Sequence, residues 1–312
     1  MDNLNAIKKR IKSVNDIGQM TSALQLVSSA KMRRSVQLRQ SMYPFFSLCA
    51  ESMQEIRNNA GEINNPFYEL KQKVEGETWK IGYFVLSGEQ GMAGAYNNNM
   101  VKIAEEHVRA KILENTKKNI STDYKFYVFG KPAREKLIRY GYNVDREFSF
   151  PIAEPTFYQA RNLSSIIKKK FLNHEFDLVY LLYTNNRPGK GMIPMAIRLL
   201  PVDLKSINSI VAEGVEDAGM AIDRGNPLEY QPNAGAVFDY LIDTYLNAIL
   251  YGAMVEAYQS EQTARLTAMQ NATDNAEEMM KKLTLMSNRA RQAKITTELT
   301  EIVNGAQQAN NI

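Results

Sequence analysis

Cysteine, histidine and long apolar runs are scarce in this chain, and each scarcity argues against a class of protein. The single cysteine, Cys49, excludes an internal disulfide framework and fits a reducing compartment. The two histidines have no cysteine or acidic cluster at ligand spacing, which argues against a metal site. No apolar run approaches the roughly 18 residues that a bilayer-spanning helix needs, and residues 1–12 lack the apolar block of a secretory signal. We expect a soluble cytoplasmic protein, or one that meets a membrane only through partners.

Proline is confined to positions 44 to 232 of the 312 residues. Because proline costs a helix interior about 3 kcal/mol, both ends are free to form long helices and the middle is not. Segments 57–78 and 205–232 mix Asn, Gly, Pro and charged residues without a period, which is typical of connections. We predict three parts: an N-terminal helix over 1–58, an α/β domain over 79–203 and a C-terminal helix over 233–308.

Apolar and small residues recur in the C-terminal part at alternating steps of three and four. This period of 3.5 predicts a helix that winds left-handedly around a partner helix. The predicted seam is Phe238, Leu241, Tyr245, Ala248, Gly252, Val255, Gln259, Gln262, Leu266, Met269, Thr273, Ala276, Met280, Leu283, Ser287 and Ala290.

Apolar residues of the N-terminal part also fall on one face of a predicted helix. Pro44 is expected to kink or interrupt this helix. The predicted members of the apolar face are Leu4, Ile7, Ile11, Val14, Ile17, Leu24 and Val27. Two such helices at opposite ends of one chain predict an intramolecular antiparallel coiled coil. The polar seam residues of the C-terminal helix have two interpretations: they set the register, or that stretch faces another protein.

The middle of the chain alternates strand-like and helix-like segments. Strands are predicted at 79–86, 124–129, 176–183 and 193–200, and helices at 100–114, 133–140 and 158–171. This alternation predicts a mostly parallel, doubly wound, Rossmann-like sheet.

A glycine-rich turn at residues 87–97 follows the first strand, where a phosphate-binding loop would lie. It has neither the Gly-x-Gly-x-x-Gly spacing nor a Gly-Lys-Ser/Thr ending, so a tight strand-to-helix turn is the favoured interpretation. No Ser/His/Asp or Cys/His arrangement stands out. The sequence therefore predicts neither an active site nor a cofactor.

Positive charge predominates near the N-terminus, although the whole chain carries only +4. Residues 1–40 contain eight basic side chains: Lys8, Lys9, Arg10, Lys12, Lys31, Arg33, Arg34 and Arg39. A solvated helix face, a nucleic-acid arm and a surface facing acidic protein loops are the three interpretations. No aromatic residues are interleaved with the basic ones, which weakens the second.

The residues at both ends resemble the gamma subunit of the F-type ATP synthase. The matching segments are 7–14 (IKKRIKSV), 30–33 (AKMR), 250–253 (LYGA), 260–265 (SEQTAR), 269–276 (MQNATDNA) and 288–303 (NRARQAKITTELTEIV). The turn at 87–97 matches the family's Ser-Asp-Arg/Lys-Gly-Leu-x-Gly loop.

This resemblance implies a rotor subunit that couples ion flow through the membrane ring to ATP synthesis or hydrolysis in the catalytic head. The implied partners are the alpha and beta subunits, the epsilon subunit and the c-subunit ring, with no nucleic acid and no membrane contact except through the complex. The implied place is the cytoplasmic side of a bacterial cell membrane, as a peripheral subunit that catalyses no reaction itself. The implied contact and coupling residues are Arg291, Gln292, Thr296, Glu298, Arg265 and Glu261.

The chain departs from the family pattern at Ser22, Leu24, Gln90 and Gln231. Two hypotheses of other classes compete with the rotor. A dinucleotide-dependent enzyme predicts nucleotide binding by the isolated chain. A basic coiled-coil adaptor for nucleic acid predicts binding that weakens steeply with salt.

Overall fold

Five helices and four strands make up the described part of the chain. A computed structural model describes residues 4–59, 65–68, 70, 72–150, 154–187, 189, 191–202, 230–231 and 233–309. In chain order the elements are α1 (Leu4–Asn59), β1 (Thr78–Leu86), α2 (Tyr96–Thr116), β2 (Ser121–Phe129), α3 (Lys131–Arg139), α4 (Phe157–Leu172), β3 (Leu178–Arg187), β4 (Gly191–Leu200) and α5 (Ala234–Ala309). The predicted connection 205–232 lies outside the described residues except for 230–231.

The four strands form one mixed sheet in the order β2-β1-β3-β4. Strand β1 pairs in parallel with both β2 and β3, and β4 pairs antiparallel with β3. A mostly parallel sheet is confirmed. The antiparallel edge arises because only three residues separate β3 from β4, whereas a parallel crossover needs about a dozen.

Both faces of the sheet are buried, as parallel sheets require. Helices α2 and α3 cover one face, where Tyr83 of β1 and Met100 of α2 belong to the same cluster. Helix α4 covers the other face together with parts of α1 and α5, where Phe84 packs in a cluster with Met53 and Phe238. Successive β1 residues enter opposite clusters because side chains alternate along a strand.

Two compact units divide the chain: Met1–Ser29 with Arg265–Ile312, here called the helical-pair unit, and Ala30–Ala264, here called the α/β unit. The fold class is confirmed, with antiparallel N- and C-terminal helices and a central α/β sheet. Helix α1 continues through Pro44, so an interruption there is wrong, whereas the kink that was the other expectation stays a prediction. Burial of Met53 and Ile56 beyond it offsets the lost backbone hydrogen bond. Among helices in the described ranges, none combines the length and the hydropathy that a bilayer crossing requires.

Candidate functional site

The buried and half-buried positions of α5 include every seam position that the period of 3.5 predicted. Every predicted seam position from Phe238 to Ala290 is buried or half-buried, whereas most other residues between 267 and 290 are exposed. In the helical-pair unit, Ala276 and Leu283 pack on Val14 of α1. The structure therefore supports the heptad prediction between residues 267 and 290. Between residues 241 and 264 every residue of α5 is buried or half-buried, so the seam is not distinguished there.

The seam of α1 differs from its prediction. Ile17 and Val27 were expected on the apolar face, but they are 53% and 51% exposed. The buried positions instead recur every seven residues, as Ile7, Val14, Thr21, Ser28 and Ser35. The prediction was wrong at Ile17 and Val27, whereas its other members are buried or half-buried as expected: Leu4, Ile7, Ile11, Val14 and Leu24. It followed apolar residues alone, whereas at positions 21, 28 and 35 the seam of α1 is small and polar.

Where the seam of α1 has no large side chains, small and polar residues of α1 and α5 contact each other. The hydroxyl oxygens of Thr21 and Thr273 lie 2.8 Å apart, and the side-chain amide of Gln25 donates to that of Gln270. A Cβ placed on Gly18 would lie 3.5 Å from Cβ of Ala276, which is ordinary contact. Such pairs fix the register of two helices, although each contributes less than buried leucines would.

Four of the six predicted site residues share the exposed end of α5: Arg291, Gln292, Thr296 and Glu298. The Thr296 hydroxyl donates to the Gln292 carbonyl at 2.9 Å, and Lys294 Nζ lies 3.5 Å from Glu298 Oε1. Both contacts lie within one turn of α5, so the side chains remain at the surface.

An open groove lies next to these residues, between the start of α1 and the end of α5. Its volume is about 810 Å³, and Leu4, Ile7 and Met286 supply apolar walls while Arg289, Lys294 and Glu298 supply charge. A groove of this kind can receive a protein loop that carries both apolar and polar side chains.

The other two predicted site residues are placed differently. Arg265 is half-buried in the helical-pair unit, and Glu261 is 7% exposed in the α/β unit. Glu261 lies against the glycine loop, residues 87–97. A Cβ on Gly88 would come within 2.9 Å of its carboxyl carbon and of its Oε1.

Hydrogen bonds hold the glycine loop in a single shape. The Gly88 amide donates to Asn97 Oδ1 at 2.8 Å, and the Asn97 side-chain amide donates to the Gln90 carbonyl at 3.1 Å. The Ser87 hydroxyl donates to the carbonyl of Phe129. The loop is the tight strand-to-helix turn that the sequence favoured, and residues of α5 lie against it.

Sequence reasoning missed several residues that fasten α5 to the sheet. The Tyr96 hydroxyl donates to the Ala257 carbonyl at 2.9 Å, and the Ser260 hydroxyl donates to the Thr184 carbonyl at 3.1 Å. Gly88 was the one available signal, because a glycine after a strand can mark close approach of another group.

A buried aromatic cluster contains the one strongly perturbed histidine. His107 Nδ1 lies 3.3 Å from the Tyr83 hydroxyl, and the His107 ring packs on that of Tyr180. Burial, reinforced by Lys111, lowers the pKa of His107 to about 4. Within the described ranges, no group of three or more His, Cys, Asp or Glu side chains could hold a metal ion.

Comparison with known proteins assigns the family. The family model described as ATP synthase matches residues 3–308. The chain is 35% identical to the ATP synthase gamma chain of Acetivibrio thermocellus over 98% of its own length and 99% of that relative. It is 34% identical to the ATP synthase gamma chain, sodium ion specific, of Acetobacterium woodii, over 99% of each chain.

Solved structures agree on the fold. A chain of the Euglena gracilis mitochondrial ATP synthase in a cryo-EM structure of OSCP, F1 and c-ring superposes with a TM-score of 0.61 at 15% identity, covering 97% of this chain and 93% of that one. A chain of the Tetrahymena thermophila mitochondrial ATP synthase central stalk and c-ring gives 0.52 at 16% identity, covering 81% and 99%. Neither the enzyme nor the nucleic-acid adaptor hypothesis is supported by these matches. The chain belongs to the gamma-chain family of the F-type ATP synthases.

Proposed function

We propose that this chain is a central-stalk subunit that catalyses no bond chemistry itself and instead transmits rotation between two partners. One partner is the head of alpha and beta subunits, and the other is the c-subunit ring, with the epsilon subunit bound near the ring. The complex would lie at the cytoplasmic side of a bacterial membrane, which this subunit contacts only through the complex. Rotation would bias the head between conformations by contact, which is the physical content of coupling.

Exposed apolar side chains on the helical-pair unit are the observation that carries this proposal. Ile295, Leu299 and Ile302 recur at steps of four and three residues, so they share one face of α5. An exposed apolar face of this kind marks a site where a partner binds. The exposed apolar side chains of the unit are Ile17, Met20, Leu26 and Val27 on α1 and Met279, Leu285, Met286, Ile295, Leu299, Ile302 and Val303 on α5. A partner head that encloses the helical pair would cover them.

The exposed end of α5 supplies the polar contacts of this proposal. Arg291 can engage a carboxylate of a beta-subunit loop through two parallel hydrogen bonds, which adds direction to the attraction. Gln292 can donate to or accept from the same loop. Thr296 and Glu298 lie one to two turns farther along the helix and would act in coupling, as would Arg265 and Glu261.

We also propose a functional division of the chain at the predicted boundaries. Residues 1–58 and 233–308 would form the turning shaft, and 79–203 would form the domain that binds the ring and the epsilon subunit. The burial of residues 81–86 of β1 and 178–184 of β3 inside their sheet supports a rigid domain for that purpose.

Reconstitution with matching alpha and beta subunits tests the function. ATP hydrolysis by the complex is compared between the full-length chain and a chain truncated after Met269. We expect the truncation to abolish or strongly slow turnover, because it removes the groove and the exposed end of α5. Turnover that is independent of this chain would contradict the rotor function.

A matched pair of substitutions tests the exposed end of α5 more sharply. Glu298→Gln and Glu278→Gln each remove an exposed carboxylate that pairs with a lysine one turn away, Lys294 and Lys282 respectively. Their local effects on the helix should be alike and small, because both ion pairs are exposed to solvent. We expect only Glu298→Gln to change turnover in the complex. Equal effects of both would remove Glu298 from the proposed coupling surface.

A further inference from the structure

The strand order places a topological switch point between β1 and β3. From β1 the chain proceeds to β2 on one side and later to β3 on the other. In open α/β sheets, ligands bind in the crevice outside the carboxyl ends of the strands at such a point. The glycine loop leaves β1 at this crevice, so the fold offers a ligand site there.

A segment of α5 occupies this crevice. The hydroxyl of Ser260 bonds to the carbonyl of Thr184 near the end of β3, and Glu261 lies against Gly88 just beyond β1. Tyr96, at the start of α2, donates to the Ala257 carbonyl. The helix therefore contacts all three elements that would surround a bound ligand.

The occupying side chains are polar and nonetheless buried. Ser260 and Glu261 are 0% and 7% exposed. Helix–sheet packing normally uses apolar side chains, because a buried polar group must recover its lost hydration through specific contacts. Two adjacent buried polar residues that contact the ends of β1 and β3 resemble a bound ligand more than a core.

Gly88 is the counterpart of this segment. A Cβ on Gly130 would lie 2.2 Å from the carbonyl oxygen of Gly88, so the glycine loop already packs closely on the backbone of Gly130. The loop therefore cannot move away from Glu261 toward Gly130. The amide of Gly88 is held by Asn97, and the missing side chain of Gly88 leaves the space that the Glu261 carboxyl fills.

We propose that the switch-point crevice of the α/β unit is a binding site for Ser260 and Glu261 of the same chain, with Glu261 as a positioning residue. The contact fastens the first part of α5 to the sheet within the α/β unit, so that torque reaching this sheet passes directly into α5. This inference rests on the proposed function, because it names how torque would cross from the ring-binding domain to the shaft. Glu261 acts through the glycine loop and not through a surface that faces another subunit.

The test uses whole ATP synthase in inverted membrane vesicles. In each preparation the variant under test is the only form of this chain in the complex. Gly88→Ala places a methyl group against the Glu261 carboxyl, and Gly91→Ala is the matched control in the same loop, because its Cβ would meet nothing within 4 Å. ATP hydrolysis and ATP-driven uptake of both protons and sodium ions are measured on the same vesicles.

We expect Gly88→Ala to lower the ratio of ions transported to ATP hydrolysed below the ratio measured for Gly91→Ala, because the added methyl group displaces the Glu261 carboxyl from the glycine loop. Gly91→Ala should match the unmodified chain. Adding Glu261→Ala to Gly88→Ala removes the obstruction, so the double variant should be no worse than Glu261→Ala alone.

Three results separate the possibilities. If Gly88→Ala equals Gly91→Ala, or if the effects of Gly88→Ala and Glu261→Ala simply add, the crevice proposal is wrong. If Gly88→Ala fails to enter the complex and the double variant enters it, the same contact is supported by rescue, whereas failure of both contradicts it. If hydrolysis and transport do not depend on this chain at all, the proposed function itself fails.

Discussion

Replacing Leu283 by alanine should increase the population in which the helical pair is locally open, whereas replacing Leu285 by alanine should not. The two leucines lie two positions apart on α5 and differ in burial, at 6% and 53% exposed. Leu283 packs in a small cluster with Val14 and Ala276, bordered by Ile11 and Met280. Leu285 points away from that seam.

The expected magnitude follows from this cluster. Buried Leu→Ala substitutions cost about 2–5 kcal/mol, and the cost falls where the surroundings can relax into the space. A seam of two helices with few neighbours relaxes easily, so we expect about 2 kcal/mol for Leu283→Ala. Leu285→Ala should change stability by less than about 0.5 kcal/mol, the usual limit for surface substitutions.

Amide hydrogen exchange of the isolated chain measures this difference locally. A loss of about 2 kcal/mol raises the open population roughly 30-fold, so amides of residues 276–290 should exchange faster by that factor in Leu283→Ala. Global denaturation is less suitable, because a chain with two compact units need not unfold in one step.

Equal acceleration in both variants would refute the reasoning, since it would mean that position 283 is no more buried than position 285. Unchanged exchange in Leu283→Ala would refute it as well. Strands β1 and β2, which lie in the α/β unit, provide the internal reference, and their exchange should stay constant in both variants.

Three other substitutions give separate tests. Gly82→Ala should destabilise the α/β unit by about 1–3 kcal/mol, because its Cβ would meet ring atoms of Phe176 at 2.9–3.1 Å; a thermal melt measures this. The pKa of His107 is lowered from 6.5 to about 4 in the folded chain. As the pH falls, the unfolded chain therefore binds a proton at His107 before the folded chain does. Stability should then fall by about 1–2 kcal/mol between pH 6.5 and 4, and His107→Gln should reduce that slope in melts at several pH values. Thr21→Val should cost about 1–3 kcal/mol by leaving Thr273 without its partner, and adding Thr273→Val should recover most of it; amide exchange in the helical pair measures both.

Each of these tests has its own control and its own contradicting result. For the strand glycine the control is Gly91→Ala, and equal melting temperatures of the two variants would contradict the clash with Phe176. An unaltered pH slope in His107→Gln would assign the acid sensitivity to other groups. Additive losses in the two threonine substitutions would show that the hydroxyls do not act as a pair.

The elements whose pattern is local were predictable from the sequence. The α5 seam could be read because each residue of a heptad repeat reports on its own helix, whatever the partner is. The strands β1, β2 and β3 were found from their aromatic and branched residues, with ends that differ by a few positions. Arg291, Gln292, Thr296 and Glu298 were identified by resemblance, and their exposure became known only from the structure.

The α1 seam and Glu261 show what local patterns leave open. An apolar pattern predicts the buried face only where large side chains fill the interface. Along α1 the close approach of α5 selects Thr21 and Ser28 and leaves Ile17 exposed. A carboxylate on a helix is normally solvated, so nothing near position 261 indicated burial.

The sequence by itself determined the helix-forming ends, the α/β centre and membership of the gamma-chain family, because period, composition and motif are properties of short segments. Only the tertiary structure decided that the glycine loop and Glu261 meet at a switch point, and that the polar groups of α5 are buried there. Those contacts join residues far apart in the chain. Their energies come from fit and from desolvation between distant segments, which no spacing along the sequence encodes.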